Sequence, residues 1–364
     1  MKILIMNRKY DNVFGGVEYM STSLANEMAR RGHECHLLSL DSRDASMHYD
    51  LDSTIQWHKI SDFPTEKKAS WKERLSRFKQ IRQIVKNEKV DILIGFQDGC
   101  YLSLMVATLG LGVPVIAAER NSPTRFDYIK AGKFKFIRFN TFRMADVITV
   151  QCPSYVKKYP SYLEKKIHVI PNPIKPVSTS KAEKKNIVLA VGRLAFQKNM
   201  DVLVKAFSRL SLDFSDWKLV IVGDGEDMVK LKNLVTDLKA TEQIDLRGYA
   251  KNPAQYYEEA SIFCLPSRWE GFPNALAEAM SYALPCVGFE KCCGVSDLID
   301  DKKTGVLASG SDDEGTLAEA LKTLMGDPEL RKELGQASRR KSRKYTPTKV
   351  YDMWEQLFLT MTRN

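Results

Sequence analysis

The chain has 364 residues, 44% of them hydrophobic, which is enough to bury two ordinary domain cores. Its formal net charge of +10 is uneven: residues 1–172 contain 27 basic and 18 acidic residues, whereas 173–364 contain 28 and 27, so we expect the halves to meet different partners. The seven cysteines show no metal-ligand spacing, and no apolar run is long enough for a transmembrane helix or a signal peptide. These features indicate a cytoplasmic protein with reduced cysteines and no metal site.

Strands and helices are predicted to alternate on both sides of a proline-rich segment at 170–176. Before it, a helix at 17–31 follows a Gly-Gly turn, and strand-like runs occupy 2–7, 35–40, 91–96, 113–118 and 147–151. After it, strand-like runs occupy 187–191, 218–222, 244–247, 261–265 and 285–289. This alternation predicts an α/β protein with two Rossmann-like domains, 1–172 and 173–346, whose parallel sheets face a cleft. The remaining helix, at 347–364, is expected to pack back on the first domain.

The most informative stretch is 266–280, which joins a strand through a tight turn to a strong helix former. Asn274 is predicted to cap this helix, and the unpaired N–H groups and dipole of a helix start make such a turn suitable for an anion. Glu270 lies in the loop and Glu278 about one turn into the helix. Phosphate-binding N–H groups beside hydroxyl-binding carboxylates favour a sugar nucleotide. The spacing of the two glutamates proves little alone, since such a pair arises by chance roughly once in a chain of this composition.

Other segments that follow strands are predicted to reach the same cleft. Arg193 and Lys198, after the first strand of the second domain, have the chemistry to clamp a diphosphate, although two solvated charges at a strand–helix junction are the commoner case. The Gly15-Gly16 turn opens the first helix but is not a GxGxxG fingerprint, and about half of such glycine pairs are only tight turns. In the turn 223–226, Asp224 is either a helix cap or part of the site.

Taken jointly, these segments resemble the retaining GT-B glycosyltransferases of family 4, of the type that builds bacterial lipid-linked or surface polysaccharides. The resemblance covers essentially the whole chain and rests on 15–18, 191–193 with Lys198, 266–280, and 305–307 after 297–299. It implies an acceptor-binding first domain and a donor-binding second domain. It also implies a metal-independent hexosyltransferase without a cofactor. That enzyme would move a hexose or N-acetylhexosamine from a nucleotide sugar, with UDP favoured, to a polyprenyl-diphosphate-linked glycan.

The resemblance also implies roles for individual residues. Arg193 and Lys198 would hold the donor diphosphate, Glu278 the ribose hydroxyls and Glu270 the hydroxyls of the donor sugar. These cations would stabilise the charge that grows on the leaving phosphate, so Glu270, Arg193 and Lys198 are the catalytic candidates. Attack on the same face of the sugar is expected, with UDP left as the bound product. The implied donor-binding set is Gly15, Gly16, Gly192, Arg193, Lys198, Arg247, Gly248, Tyr249, Glu270, Gly271, Phe272, Pro273, Asn274, Ala275 and Glu278.

Two features depart from the family pattern. Many relatives have a histidine after the strand at 113–118, where this chain has Arg120, and none of the five histidines offers an obvious substitute. A role that depends on a neutral imidazole is therefore not carried over, and Arg120 is assigned to the acceptor side. The loop at 290–295, with its adjacent Cys292 and Cys293, resembles that of relatives building lipid-linked or surface polysaccharides.

Two basic segments of the first domain are candidates for contact with the acceptor and the membrane. Segment 67–89 has nine basic residues against two acidic, with its apolar residues on one helical face, and a solvated basic helix explains it equally well. Segment 130–143 has five basic residues and no acid, interleaved with phenylalanines. Such a surface suits anionic lipid, so we expect peripheral association with the inner face of the cell membrane. The candidate residues are Arg120, Lys130, Lys133, Lys135, Arg138 and Arg143.

Other classes of function are open at this point. A sugar-nucleotide epimerase or hydrolase would use the same donor site without an acceptor. A nucleic-acid-binding protein would use the basic and aromatic segments, but no recognised motif is present and that function leaves the anion site unexplained. A metal-dependent GT-A transferase is disfavoured, because the Asp-x-Asp at 50–52 lies away from a donor-type turn.

Overall fold

The computed structural model describes residues 1–13, 15–61, 70–128, 132, 134–177 and 183–362. The chain divides into two compact units, and one of them uses both ends of the sequence. Unit 1 comprises Met1–Asn172 and Thr348–Asn364, whereas unit 2 is the continuous stretch Pro173–Pro347. The division therefore falls inside the proline-rich segment.

Both units are built from strands that alternate with helices. The strands are β1 Lys2–Met6, β2 Glu34–Ser42, β3 Gln56–Ser61, β4 Ile92–Phe96, β5 Val115–Ala118, β6 Val147–Val150, β7 Ile167–Val169, β8 Ile187–Val191, β9 Lys218–Val222, β10 Ile244–Gly248, β11 Ile262–Leu265, β12 Cys286–Phe289 and β13 Gly305–Ala308. The α-helices are α1 Gly16–Arg30, α2 Trp71–Glu88, α3 Asp98–Ala107, α4 Lys135–Thr141, α5 Pro153–Val156, α6 Met200–Ser208, α7 Met228–Asp237, α8 Ala254–Glu259, α9 Asn274–Ser281, α10 Val295–Leu298, α11 Glu314–Gly326, α12 Pro328–Ser342 and α13 Pro347–Thr362.

Each unit contains one parallel sheet whose strand order reverses near its centre. The order is β3-β2-β1-β4-β5-β6-β7 in unit 1 and β10-β9-β8-β11-β12-β13 in unit 2. All neighbouring strands pair in parallel. The predicted α/β fold with parallel sheets is confirmed. Ligands of such doubly wound sheets bind beyond the carboxyl ends of the strands, at the point of reversal.

The sheet of unit 1 separates two hydrophobic clusters, because successive side chains of a strand point to opposite faces. Ile3 and Ile5 of β1 belong to the cluster that contains Leu24 of α1. Leu4 of β1 belongs instead to the cluster that contains Ile81 of α2. Strands with both faces covered must be apolar throughout, which explains the continuous hydrophobic runs that predicted them.

The last helix, α13, completes the first of these clusters. Val350, Trp354 and Phe358, spaced four residues apart, are fully buried there beside the strands and α1. Arg31, just after α1, contacts both Asp352 (2.8 Å) and Glu355 (2.6 Å) through its guanidinium. The C-terminal end of the chain is therefore part of the unit 1 core.

Three strands were not predicted as such: β3, β7 and β13. β7 has only three residues, with His168 exposed, so it lacks the apolar run typical of a buried strand. β13 begins at Gly305, where a Cβ would overlap the carbonyl oxygen of Cys286 on the neighbouring strand. The close approach of β12 and β13 therefore requires glycine at position 305, and glycine is a residue that weakens the sequence signal of a strand. Within the part of the chain that the structure describes, no helix has the length and hydrophobicity needed to cross a membrane.

Candidate active site

The loops that follow β8 and β11 are bonded to each other at the carboxyl edge of the unit 2 sheet. These strands are neighbours at the point where the strand order reverses. The Arg268 N–H donates to the carbonyl oxygen of Gln197 (2.9 Å), and the Gln197 side-chain amide donates to that of Trp269 (2.8 Å). The Arg268 guanidinium lies 4.1 Å from the centre of the Phe196 ring and donates to its carbonyl oxygen. These contacts fix the two loops that carry the predicted donor residues.

Lys198 and Glu270, predicted separately as site residues, form an ion pair between the two loops. Lys198 Nζ lies 2.6 Å from Glu270 Oε1, and the Ser267 hydroxyl donates to the same oxygen at 2.6 Å. The side chains are only 17% and 6% exposed. Gly192 gives the lysine room, because a Cβ there would come 3.3 Å from Lys198 Cε. Since both charges are largely shielded from water, removing one would leave the other poorly compensated.

Helix α9 starts one residue earlier than the predicted cap implies. The residue before the helix is Pro273, and no side chain caps this end, so Asn274 is the first helical residue rather than the cap. The expectation was wrong because the Asn274 N–H donates to the carbonyl oxygen of Phe272 (2.9 Å), which draws Asn274 into the turn. Pro273, the residue before the helix, therefore supplies no side-chain cap to the first turn of α9. Such a helix start keeps the property expected of an anion site.

Glu278 lies in the second turn of α9 and is held by a tyrosine. Tyr257 Oη, from α8, donates to Glu278 Oε2 at 3.1 Å. Tyr257 is buried and its ring stacks on that of Tyr282, with centroids 5.2 Å apart. Burial raises the pKa of the Glu278 carboxyl, whereas the tyrosine hydrogen bond opposes this shift. The carboxylate therefore has one fixed oxygen and is easier to protonate than an ordinary glutamate.

The remaining predicted donor residues of unit 2 lie at the ends of neighbouring strands. Arg193, just after β8, is exposed to solvent. Gly223, after β9, donates its N–H to the carbonyl oxygen of Gly248 (2.8 Å), and a Cβ at Gly223 would overlap the carbonyl oxygen of Gly192. Three strand-end loops are thus packed closely through glycine. Beyond them, Arg247 pairs with Asp245 (2.7 Å), and 75% of Tyr249 is exposed.

Comparison with known proteins identifies both halves of the chain. The family described as Glycosyltransferase Family 4 matches residues 14–177, and the family described as Glycosyl transferases group 1 matches residues 172–341. The chain belongs to glycosyltransferase family 4.

Relatives and solved structures agree with this family. A Campylobacter jejuni protein named GalNAc-alpha-(1->4)-GalNAc-alpha-(1->3)-diNAcBac-PP-undecaprenol alpha-1,4-N-acetyl-D-galactosaminyltransferase is 28% identical over 351 residues, which is 94% of each chain. The lipopolysaccharide outer core galactosyltransferase WaaB is similar in structure, with a TM-score of 0.78 and 20% identity over 99% of both chains. Anabaena HepE in complex with UDP gives a TM-score of 0.79 at 16% identity over 100% of both chains. These similarities confirm the GT-B fold.

In this glycosyltransferase, the Gly15-Gly16 turn belongs to unit 1. Gly15 is the residue before α1, and a Cβ on it would overlap Oε2 of Glu18. The Glu18 carboxylate, which also accepts a hydrogen bond from the Asn7 side chain (3.4 Å), therefore folds over the helix start. A side chain at position 15 would displace the end of the Glu18 side chain, and the role of the Gly15-Gly16 turn toward the donor stays a prediction.

The position of Arg120 in the structure corrects one of the sequence predictions. It was assigned to the acceptor side, but only 6% of its surface is exposed. Its guanidinium lies over the rings of Phe96 (5.3 Å) and Trp354 (5.2 Å), and it donates to the carbonyl oxygen of Ile170 (3.4 Å). Burial lowers the pKa of Arg120 to about 9. Because it packs inside unit 1, Arg120 is not part of an exposed basic surface.

Of the other acceptor and membrane candidates that the structure describes, one is largely buried and two are partly or fully exposed to solvent. Arg138 is mostly enclosed, pairs with Glu119 and lies over the Phe126 ring (4.6 Å). Lys135 pairs with Asp127 (3.3 Å) and is partly exposed, and Arg143 is exposed. Lys130 and Lys133 lie outside the described residues. Arg138 is therefore a packing residue, and Lys135 and Arg143 are the described members of the basic surface.

Sequence reasoning missed three residues that surround the predicted glutamates. Ser267 donates a hydrogen bond to Glu270, and Tyr257 donates one to Glu278. Cys292 is 1% exposed, and its pKa is raised well above the usual value by burial and then by the nearby Glu270 carboxylate. It is therefore a neutral thiol close to the Lys198–Glu270 pair. Ser267 could have been predicted, because it is a polar residue at the end of a strand and lies next to the recognised turn. The sequence around Tyr257 contains no feature that indicates its contact with Glu278.

Proposed function

We propose that this glycosyltransferase moves a hexose or N-acetylhexosamine from a UDP-sugar to a polyprenyl-diphosphate-linked glycan, with retention of configuration at the anomeric carbon. The observation that carries the proposal is the shielded Lys198–Glu270 pair, which lies in the loops at the point of strand reversal. A diphosphate requires a cation and N–H donors, whereas sugar hydroxyls require carboxylate acceptors. UDP as the donor nucleotide is supported by the Anabaena HepE complex, and a lipid-linked acceptor by the name of the Campylobacter relative.

The donor would bind along the carboxyl edge of the unit 2 sheet. The exposed Arg193 guanidinium and Lys198 would hold the two phosphates, together with backbone N–H groups at the start of α9. Glu278, with one oxygen fixed by Tyr257, would accept hydrogen bonds from the ribose hydroxyls through its other oxygen. The base would lie beside the exposed Tyr249 at the end of β10. Each role follows from the charge and exposure of the residue involved.

Donor binding would make Lys198 exchange one anion for another. In the structure its ammonium group contacts Glu270, but a diphosphate carries more charge and would draw the lysine toward it. Glu270 would then be available to the hydroxyls of the donor sugar. The same movement would therefore bring a positive charge to the phosphates and free the Glu270 carboxylate. Glu270 would then accept hydrogen bonds from sugar hydroxyls rather than transfer a proton.

The transfer step follows from these positions. The bond between the anomeric carbon and the phosphate oxygen breaks, and its electron pair stays on the β-phosphate of UDP. An acceptor hydroxyl forms the new bond on the same face, and its proton passes to that leaving phosphate oxygen. Arg193 and Lys198 would stabilise the negative charge as it grows, which is the role of positioned cations in such transition states. We propose that these cations make a divalent metal unnecessary for transfer.

The acceptor would reach the enzyme at a membrane surface on unit 1. Around α4, the side chains of Phe134, Phe136 and Ile137 are 55%, 73% and 61% exposed, beside Lys135 and Arg143. Exposed aromatic and aliphatic side chains next to cations are typical of peripheral binding to anionic lipid. This supports the proposed position at the inner face of the cell membrane.

Serine substitutions on α4 should weaken membrane binding. We expect the Phe136→Ser/Ile137→Ser variant to bind vesicles containing anionic phospholipid about tenfold more weakly or worse, because two apolar side chains no longer enter the interface. Co-sedimentation over a salt series measures this. The matched control is Leu212→Ser in unit 2, which removes a side chain that is 94% exposed but lies outside the surface. Binding that is indifferent to lipid charge and salt contradicts the proposal.

The proposed reaction is tested by separating its products. A thermal-shift titration with UDP, GDP and ADP first selects the nucleotide. The matching sugar nucleotides are then incubated with and without a short-chain polyprenyl-diphosphate-linked acceptor. We expect UDP release and acceptor glycosylation in equal amounts, and an axial anomeric linkage by NMR when the donor is axial. Free sugar or an isomerised nucleotide sugar without acceptor indicates a hydrolase or an epimerase, and an inverted linkage contradicts retention.

A further inference from the structure

Two histidines and a glutamate meet at one edge of the unit 1 sheet. His36 belongs to β2, His58 to the edge strand β3, and Glu88 is the last residue of α2. One possible ligand atom from each lies within 4.8 Å of the other two. Among the residues that the structure describes, no other group of three or more histidine, cysteine, aspartate or glutamate side chains has this arrangement.

The distance between the two histidines fits a shared metal ion. His36 Nδ1 lies 3.2 Å from His58 Nε2. Two nitrogen ligands of a tetrahedral zinc ion, each bound at about 2.05 Å, lie about 3.3 Å apart. The rings are nearly parallel, with 30° between their planes and centroids 5.4 Å apart. A small outward movement of either ring would therefore admit the ion.

Glu34 orients His36 for this role. Its Oε1 lies 3.3 Å from His36 Nε2 and 2.8 Å from Lys2 Nζ. A carboxylate at Nε2 keeps the proton on that nitrogen, which leaves the lone pair of Nδ1 directed at His58. A carboxylate behind a metal-binding histidine is the usual outer partner in zinc sites.

We propose that His36, His58 and Glu88 form a site for one divalent transition metal, with zinc as the preferred ion. Two imidazoles and a carboxylate suit zinc better than magnesium or calcium, which bind oxygen ligands. His36 is buried, whereas His58 and Glu88 are partly exposed, so the ion enters from solvent and a water completes its coordination. Zinc here ties the end of α2 to the edge strand β3.

The site is separate from the proposed transfer chemistry. Its three ligands belong to unit 1, whereas Arg193, Lys198, Glu270 and Glu278 belong to unit 2. We therefore expect zinc binding to stabilise unit 1 without supplying a ligand to the donor site proposed in unit 2. The sequence analysis assigned no metal, because the ligands come from three separate elements and show no recognisable spacing.

Zinc titration of chelator-treated protein tests the site. With a chromophoric zinc indicator as competitor, we expect one ion per chain and a rise in Tm on binding. His58→Gln and Glu88→Gln should each abolish both effects, and Glu34→Gln should weaken zinc affinity by about 10- to 100-fold. Circular dichroism of the zinc-free variants checks that they are folded.

The matched control is His168→Gln, which removes an exposed histidine from β7, the opposite edge strand of the same sheet. It should bind zinc as the unaltered protein does. Cobalt substitution then distinguishes these ligands from cysteine, since a thiolate charge-transfer band would place the ion elsewhere and overturn the proposal. Failure to bind zinc, or unchanged affinity in His58→Gln and Glu88→Gln, also overturns it.

Discussion

Replacing Lys198 with methionine should lower both stability and transfer. Methionine keeps the length of the side chain but leaves Glu270, 6% exposed, without its ammonium partner. Removing one member of a shielded ion pair costs about 3 kcal/mol or more of unfolding free energy. We also expect kcat/KM to fall by at least about 100-fold, because the charge that stabilises the leaving diphosphate is lost. Denaturant unfolding and initial transfer rates measure the two effects.

A double replacement separates these effects. Lys198→Met/Glu270→Gln removes both charges, so most of the lost stability should return while transfer stays low. The control is Lys322→Met, which removes an exposed lysine from α11 and should change neither quantity. If Lys198→Met is as stable as the unaltered protein, the pair contributes no net stability. If its transfer rate is unchanged, Lys198 does not hold the diphosphate.

The two glutamates should have opposite effects on binding and turnover. Glu270→Gln should lower kcat by about 100-fold or more, since a neutral amide is a weaker acceptor for the hydroxyls of the donor sugar. Its UDP affinity should stay the same or increase, because Lys198 is no longer shared with a carboxylate. Glu278→Gln should instead weaken UDP binding by about 10- to 100-fold, which corresponds to one charge-assisted hydrogen bond. Calorimetry with UDP and steady-state kinetics with the sugar nucleotide measure the two quantities.

A matched control and a pH series complete this test. Glu319→Gln, on the exposed face of α11, should leave both quantities unchanged. Burial raises the pKa of Glu278, so its protonation begins at a higher pH than that of an ordinary glutamate. The folded protein therefore favours the protonated form of Glu278, and the cost of burying its charge is relieved as pH falls through the raised pKa. UDP affinity should decline over the same pH range, because a protonated carboxyl is a weaker acceptor for the ribose hydroxyls. Weak UDP binding by Glu270→Gln with normal binding by Glu278→Gln would mean that the roles are exchanged.

The sequence predicts the fold well because the relevant signals are local. Buried parallel strands such as β4 and β11 are short apolar runs, and residues after their ends are expected at one edge of the sheet. That reasoning brought Lys198 and Glu270, 72 residues apart, into one site, and the structure places them in contact. Strands without an apolar run, such as β7, gave no comparable signal.

What could not be predicted depends on contacts between distant residues or on details of the backbone. Arg120 is drawn inside unit 1 by Phe96 and by Trp354, which is more than 200 residues away in sequence. Residue type alone therefore suggested an exposed cation. Asn274 has the ideal chemistry for a helix cap, but the hydrogen bond to Phe272 places it inside the helix. Pairings such as Tyr257 with Glu278 exist only once the helices have packed.

The placement of α13 determines the order in which the chain can fold during synthesis. The core of unit 1 includes Trp354 and Phe358, which are made only after the whole of unit 2, although the rest of unit 1 is made before it. Unit 2 is continuous from Pro173 to Pro347 and can close its core while the final helix is still inside the exit tunnel. Newly made unit 1 must therefore keep an open apolar face until α13 has been synthesised. This is the stage at which the nascent protein is most exposed to aggregation and most in need of a chaperone.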